Sequence, residues 1–172
     1  PLELKEIYSY TNSQGNSFAD PVKYYALIIA CNDYIYKMGE YKNKVGDAMD
    51  EKATNHFRGW VSGAIRIKAW TYLKLGQIYG EVVYFDDPLV QLENLNDGKI
   101  FQKMNLDQLL DQCLNLIDQG VYGIDGSHVM NWVEWINPSD INSGTNLQWM
   151  VNTPDYVCLR SEICLWKGVE YD

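Results

Sequence analysis

Four stretches of the chain carry apolar residues at helical spacing. The first predicted helix covers about 21–38, because Asp20 is a good N-cap and Pro21 suits the first helical position. Gly39 is a natural C-terminal stop for this helix. The apolar stripe advances in steps of 4, 3, 4 and 3 residues and consists of Tyr24, Ile28, Cys31, Ile35 and Met38.

The second predicted helix is long, from about Asp47 to Tyr79, and Gly80 ends it. Its apolar positions follow a wide stripe, which suits a helix with neighbours on two sides. These positions are Ala53, Phe57, Trp60, Ala64, Ile65, Ile67, Tyr72, Leu75, Ile78 and Tyr79, and the periodicity also places Trp70 in the core. Gly59 and Gly63 lower helix propensity, so we expect another helix to approach closely there.

The third predicted helix begins after Asn105, which forms a capping-box pattern with Gln108, and it ends at Gly120. Its apolar side consists of Leu106, Leu109, Leu110, Cys113, Leu116 and Ile117. Long connections over 81–104 and 121–152 lie on either side of it. Loops of this length inside a compact domain are usually functional, so both are candidates for a binding site.

The fourth predicted helix has Thr153 as its N-cap, Pro154 next to it and Gly168 at its end. Trp166 falls within its apolar periodicity and is expected in the core, together with Tyr156, Leu159 and Ile163. With the other three helices, it predicts an all-α fold in which helical hairpins are joined by long irregular loops.

Composition narrows the class of protein. A hydrophobic content of 47% indicates a packed core, and no stretch approaches the roughly 20 apolar residues of a membrane helix. The net charge of −9 disfavours nucleic-acid binding, which needs a basic surface. The cysteines lack zinc-site spacing and are expected to be buried free thiols, which leaves the redox compartment open; they are Cys31, Cys113, Cys158 and Cys164.

A repeat signature lies within the second helix. Tyr72, Leu75, Gly76 and Tyr79 reproduce the W-x2-L-G-x2-Y spacing of a tetratricopeptide helix, with Tyr in the Trp position. Such spacing lets a partner helix come close over the glycine. The segment 165–171 resembles the turn of a similar hairpin, and a hairpin helix cannot bury its apolar face alone. We therefore expect a fragment, cut at a repeat turn of a longer chain.

Three segments, in order, resemble the SusD/RagB-like nutrient-binding lipoproteins. The first is YYALIIACN at 24–32, the second is AIRIKAWTYLKL at 64–75 with YGEV at 79–82 and Pro88-Leu89, and the third is SEICLWKG at 161–168. Lys68 stands where the family usually has Arg, and Val83 stands where it usually has Pro. The segment 121–152 fits the family pattern poorly, so no residue role is carried over there.

The resemblance implies a SusD-like fold, of which 1–172 would be the N-terminal, mostly helical part. It implies a surface-exposed outer-membrane lipoprotein of Bacteroidetes-type bacteria, active in polysaccharide utilisation and anchored through a lipidated cysteine that this chain does not include. Such proteins bind an oligosaccharide or other small nutrient without catalysis and without a cofactor. They deliver it to a TonB-dependent, SusC-like transporter. The alternative is a tetratricopeptide-type scaffold that binds a protein partner.

Aromatic faces and a few polar groups are the usual means of holding a sugar. The candidates are expected to be exposed aromatics in the long loops and near the start of the chain: Trp132, Trp135, Trp149, Tyr84, Tyr8 and Tyr10. Polar contacts could come from Asn131, Asn137, Asn142 and Asn146. The alternative for these aromatics is a small satellite core under the loops.

A catalytic function has less support in the sequence. Glu134 with Asp140, or Asp86 with Asp87, could form a glycosidase pair, but solvated loop carboxylates explain them better. The segment that begins at Asp140 resembles a calcium loop, yet it has Thr145 where the loop needs Gly and lacks the bidentate Glu. No metal site is therefore predicted, and we expect a binding protein rather than an enzyme.

Overall fold

A computed structural model describes residues 2–9, 11, 13, 15–45, 48–88, 101–119 and 153–168. Over these ranges the chain is mostly helical, which confirms the predicted class at that level. The elements in chain order are α1 (Leu2–Tyr8), a short 3-10 turn (Ser17–Ala19), α2 (Pro21–Val45), α3 (Glu51–Tyr79), β1 (Glu81–Tyr84), β2 (Gln102–Asn105), α4 (Leu106–Gln119) and α5 (Tyr156–Lys167).

Helix α2 starts where the sequence predicts but is longer than predicted. Gly39 does not end it; the residue is buried inside the helix, which continues to Val45. Gly39 lies on the same side of the helix as Ile28 and Asn32, which are also buried, so tertiary packing keeps this turn helical. The predicted stripe is confirmed, since Ile28 and Cys31 are buried and its other members pack against the core.

Helix α3 is the central element, and its ends follow local rules. The Asp50 side chain accepts a hydrogen bond from the backbone N–H of Ala53 at 2.7 Å, and α3 begins one residue later. At the other end Gly80 has a φ of 73°, a left-handed value that favours glycine, and its N–H donates to the Gly76 carbonyl. The predicted stop at Gly80 is confirmed, whereas the predicted start near Asp47 was several residues early.

The buried face of α3 agrees only in part with the predicted one, since Phe57, Ala64, Ile65, Tyr72 and Leu75 are buried as predicted. It is centred on Phe57, Val61, Ile65, Ala69, Tyr72 and Leu73, whereas Trp60 is 43% exposed. Trp70 and Trp166 are also partly exposed, so the expectation that these three tryptophans lie in the core is wrong. Apolar residues surround so much of α3 that periodicity alone allows several choices of buried face. Contacts with other helices decide among them.

Consecutive helices run antiparallel where side-chain contacts fix their direction. Gly76 near the end of α3 faces Leu106 and Leu109 at the start of α4, and the Cys113 thiol further along α4 lies 3.6 Å from the Ala69 carbonyl. Between α4 and α5, Lys167 pairs with Asp107 and Asp111, while Arg160 pairs with Asp118. Helices α3 and α5, which both lie against α4, are therefore parallel.

A two-stranded sheet stands where the sequence predicts an irregular connection. Strands β1 and β2 are antiparallel, with Glu81 opposite Asn105 and Tyr84 opposite Gln102. The prediction of a loop over the whole of 81–104 is therefore wrong at both ends of that segment. In β1 only Val82 and Tyr84 are buried. Two alternating buried positions are too few to predict a strand from the sequence.

The caps of the last two helices depend on short polar side chains. Asn105 and Gln108 form the predicted capping box, since each side chain bonds the backbone N–H of the other, at 3.1 and 3.0 Å. Asp155 caps α5 by accepting from Cys158 N–H at 3.0 Å, so the prediction of Thr153 as cap is wrong by two residues. Gly168 ends α5 as predicted, with a φ of 72°.

Three of the four cysteines are buried free thiols, as predicted, but Cys158 is exposed on α5. None of the helices within the described ranges is both long enough and apolar enough to cross a membrane.

The packing of α3 on α4 predicts an unusual effect of substitution at Gly76. A Cβ at this position would lie 2.6 Å from Leu109 Cδ2 and 2.9 Å from Leu106 Cδ1. Overpacking should outweigh the gain in helix propensity, so Gly76→Ala should lower the free energy of unfolding by about 1–2 kcal/mol. In a Leu109→Ala background only the close contact with Leu106 Cδ1 remains, so the same change should lower the free energy of unfolding by less. Urea unfolding measures both, and equal effects in the two backgrounds would contradict the packing argument.

Candidate functional site

The structure places two of the six predicted site aromatics in very different surroundings. Tyr8, at the end of α1, is 89% exposed. Tyr84 lies in β1 and is only 7% exposed, so the expectation of an exposed loop aromatic is wrong for this residue. The other four, namely Tyr10, Trp132, Trp135 and Trp149, lie outside the described residues. Asn131, Glu134, Asn137, Asp140, Asn142 and Asn146 lie outside them as well.

Tyr84 belongs to a group of aromatic and charged side chains where β1 meets α2 and α3, which we term the hairpin cluster: Tyr25, Lys68, Tyr72, Tyr84, Phe85 and Asp86. The rings of Tyr84 and Tyr72 are 4.6 Å apart between centroids. The Lys68 ammonium lies 5.9 Å from the centre of the Tyr84 ring. The position of Tyr84 inside this cluster explains its burial.

Lys68 and Asp86 form the charged centre of the hairpin cluster. The Lys68 side chain is only 3% exposed, and its Nζ lies 2.5 Å from Asp86 Oδ1. The Tyr84 hydroxyl donates to the same oxygen at 2.7 Å. Burying an ammonium is costly unless a carboxylate compensates its charge. The role of Asp86 is therefore structural, because it compensates the charge of Lys68. This arrangement does not favour Asp86 and Asp87 as a catalytic pair.

Two tyrosine hydroxyls fix the backbone around the end of β1. The Tyr25 hydroxyl donates to the Val83 carbonyl and accepts from the Val83 N–H, at 3.2 and 3.0 Å. The Tyr72 hydroxyl makes the same pair of bonds with Phe85, at 3.0 and 3.1 Å. Burial raises the pKa of Tyr25 and of Tyr72, so both hydroxyls keep the proton that they donate.

Asn32 connects α2 to the residues that follow β1. Its buried Nδ2 donates to the carbonyls of Phe85 and Asp87, at 3.3 and 3.4 Å. Its Oδ1 is buried without a hydrogen-bond partner, which costs stability. With the two tyrosines, Asn32 shows that helices α2 and α3 both hold this segment through backbone bonds. The hairpin cluster is therefore a rigid, largely satisfied support rather than an open ligand site.

Metal binding has no support in the part of the chain that the structure describes, where no three His, Cys, Asp or Glu side chains are grouped so as to hold an ion. The segment from Asp140 that resembles a calcium loop lies outside that part.

The exposed tryptophans are the aromatic surface that the sequence reasoning missed. Trp60, Trp70 and Trp166 are 43%, 36% and 47% exposed, on α3 and α5. In the sequence, the exposure of a tryptophan on α3 is indicated by the excess of apolar residues around that helix, because a helix cannot bury its whole circumference against its neighbours. Aromatic rings that remain half-exposed on rigid helices can serve as binding surfaces without a prior change in the fold.

Comparison of the chain with protein-family models, with curated proteins and with solved structures finds no match. The geometry and the sequence motifs therefore carry the functional argument.

Tyr84 is predicted to contribute to stability rather than to ligand binding. Tyr84→Phe removes the hydrogen bond to Asp86 and should lower the free energy of unfolding by about 1–2 kcal/mol. Tyr8→Phe is the matched control, and it should leave stability within about 0.5 kcal/mol because its ring is in solvent. Chemical unfolding followed by circular dichroism tests both. An unchanged stability of Tyr84→Phe would contradict the structural role.

The Lys68–Asp86 pair predicts a non-additive result. Asp86→Ala leaves a buried ammonium without its carboxylate and should cost about 1–3 kcal/mol, less than for a fully buried pair because water reaches Asp86. Adding Lys68→Met should restore part of this loss, since the uncompensated charge is gone. The exposed pair Lys37–Glu40 is the control, and Glu40→Ala should have no measurable effect on unfolding. A double variant less stable than Asp86→Ala alone would show that the charge is not the dominant cost.

Proposed function

We propose that this chain is the N-terminal part of a SusD/RagB-like protein, which binds an oligosaccharide or other small nutrient at the cell surface without catalysis. The observation that carries this proposal is the order of the three resembling segments. They lie on α2, on α3 with β1, and on α5. The second segment forms part of the C-terminal half of the central helix α3.

Further support comes from how the resembling residues pack. Tyr25 of the first segment bonds to Val83, the residue of β1 that directly follows YGEV of the second segment. Glu162 of the third segment bonds to Lys74 of the second at 2.6 Å. The three resembling segments are therefore parts of one packed unit.

The remaining parts of the proposal follow from the family. The protein would be held at the outer membrane by a lipid anchor on the longer chain, and it would deliver its ligand to a TonB-dependent transporter. The net charge of −9 is compatible with such a role and makes a nucleic-acid partner unfavourable.

A protein-binding scaffold is the second candidate, and Gly76 favours it. This glycine of the tetratricopeptide spacing lies where Leu106 and Leu109 come close, as the repeat pattern requires. Leu165, 79% exposed on α5, adds an apolar side chain that a partner could cover. The two candidates differ in ligand, since the scaffold binds a polypeptide and the nutrient-binding protein a small molecule.

Calorimetry with a panel of neutral hexasaccharides and short peptides tests the proposal on the longest soluble form of the protein. We expect at least one oligosaccharide to bind, and we expect alanine at Trp132, Trp135 or Trp149 to weaken it by about tenfold, or 1.4 kcal/mol. Tyr8→Ala and Tyr10→Ala test the two aromatics near the start. Tyr84→Phe is the control and should leave the affinity unchanged.

Two outcomes would count against the proposal. Binding of peptides alone would favour the scaffold. Chromatography would detect any shorter sugars released from a bound oligosaccharide. Release that is abolished by changing one loop carboxylate would show a glycoside hydrolase instead.

A further inference from the structure

The two strands of the sheet differ at their outer edges, and the edge of β1 is closed. The Tyr25 hydroxyl from α2 is bonded to both the N–H and the C=O of Val83. The Tyr72 hydroxyl from α3 is bonded in the same way to Phe85. These backbone groups therefore point away from β2, and two tyrosine side chains occupy the place that a further strand would need.

The outer edge of β2 is open at Lys103, which lies opposite Val83 in the antiparallel pair. Residues opposite each other in such a pair either exchange their backbone hydrogen bonds or both turn their N–H and C=O groups outward. Because Val83 turns its groups outward, Lys103 does so too, on the other side of the sheet. Among the residues that the structure describes, none bonds to the N–H or the C=O of Lys103.

The side chains at this edge give it a definite chemistry. The Lys103 ammonium lies 3.4 Å from Glu81 Oε1, and the two side chains are 72% and 61% exposed. So exposed a pair contributes little, and the ammonium can still meet a second carboxylate. Phe101 stands two residues before Lys103, on the same face of the strand, and its ring meets the Phe85 ring edge-on at 5.7 Å between centroids.

We propose that the outer edge of β2 binds an extended segment of a partner protein as a third, antiparallel strand. The antiparallel direction lets a single partner residue bond both the N–H and the C=O of Lys103. An acidic side chain on that residue meets the Lys103 ammonium, and an apolar side chain two positions later lies beside Phe101. Backbone bonds supply affinity in such strand addition, and the side chains supply specificity. The inference goes beyond nutrient binding and does not depend on it.

A second copy of this chain fits the edge less well than an acidic partner. The outer edge of β1 is closed, so a copy could offer only its own β2. The open groups of two copies meet when Lys103 lies opposite Lys103, which places like charges side by side. Lysine on an edge strand is a common protection against such self-pairing. The N–H of Asn105 is already bonded to the Gln108 side chain, so the open edge ends before that residue.

The test uses blocked hexapeptides and the full chain labelled with ¹⁵N. The parent peptide is Thr-Glu-Val-Tyr-Val-Thr, whose Glu is placed opposite Lys103 and whose Tyr is placed beside Phe101. One derivative carries an N-methyl group on Glu, where the peptide N–H would donate to the Lys103 carbonyl. The matched control carries it on the following Val, whose N–H points away from β2 in the same alignment.

Two-dimensional NMR follows the backbone amide of Lys103 during titration. We expect the parent peptide to shift this signal and to slow its hydrogen exchange, because the amide gains an acceptor. Methylation of Glu should raise the dissociation constant about tenfold, since one backbone bond is lost and the Lys103 carbonyl stays unpaired. Methylation of Val should leave the dissociation constant within about twofold.

A charge exchange gives the second readout. Lys103→Glu should reverse the preference, so that Thr-Lys-Val-Tyr-Val-Thr binds more tightly than the parent peptide. Lys37→Glu is the matched control, since it makes the same change of charge at a similarly exposed lysine. Lys37 lies twelve residues beyond Tyr25, or about 18 Å further along α2 from the level of Val83. Circular dichroism checks that both variants are folded.

Each outcome decides the proposal. Equal affinity of the two methylated peptides overturns strand addition, even if both bind. A Lys103 amide signal that no peptide shifts at millimolar concentration overturns the docking edge. An unchanged preference in Lys103→Glu overturns the assignment of an acidic partner. Calorimetry with oligosaccharides tests nutrient binding separately, so failure at this edge leaves that proposal standing.

Discussion

Gly76 has no side chain at the point where Leu106 and Leu109 cross α3, and the position of α4 depends on that gap. A Cβ there would force the ends of the Leu106 and Leu109 side chains to shift. Helix α4 in turn follows β2 directly and carries the aspartates that pair with α5. One small residue on α3 therefore permits the close packing of α4, which in turn contacts β2 and α5. Its effect is large because protein interiors are close-packed and do not absorb an extra methyl group without strain.

Hydrogen bonds and one ion pair, rather than close apolar packing, fix the segment after α3. Its backbone is fixed by hydroxyls from Tyr25 and Tyr72, and its Asp86 compensates the buried charge of Lys68. Polar groups in a low-dielectric interior are costly when unpaired and rigid when paired. The hairpin cluster thus orients β1 strongly, which leaves binding to more open surfaces.

Local sequence rules predicted much of the helical framework. The N-cap pair of Asn105 and Gln108, and the stops at Gly80 and Gly168, are confirmed because such caps depend only on residues within one turn. Gly39 shows the limit of the same rule. A glycine ends a helix only where the backbone turns to positive φ, and packing of α2 on the core kept it helical.

The candidate site was less predictable. Tyr84 was expected in solvent because two short strands leave little periodic signal, and Trp60, Trp70 and Trp166 were expected in the core because they match a helical repeat. The sequence by itself determined where four of the five helices in the described ranges form, how α3 and α5 end and which face of α2 is apolar, but it gave no sign of α1. Only the tertiary structure decided which side of α3 is buried and which tryptophans reach solvent. The reason is physical: helix caps depend on neighbours along the chain, whereas the burial of α3 depends on its packing against α2, α4 and α5, which are distant from it in sequence.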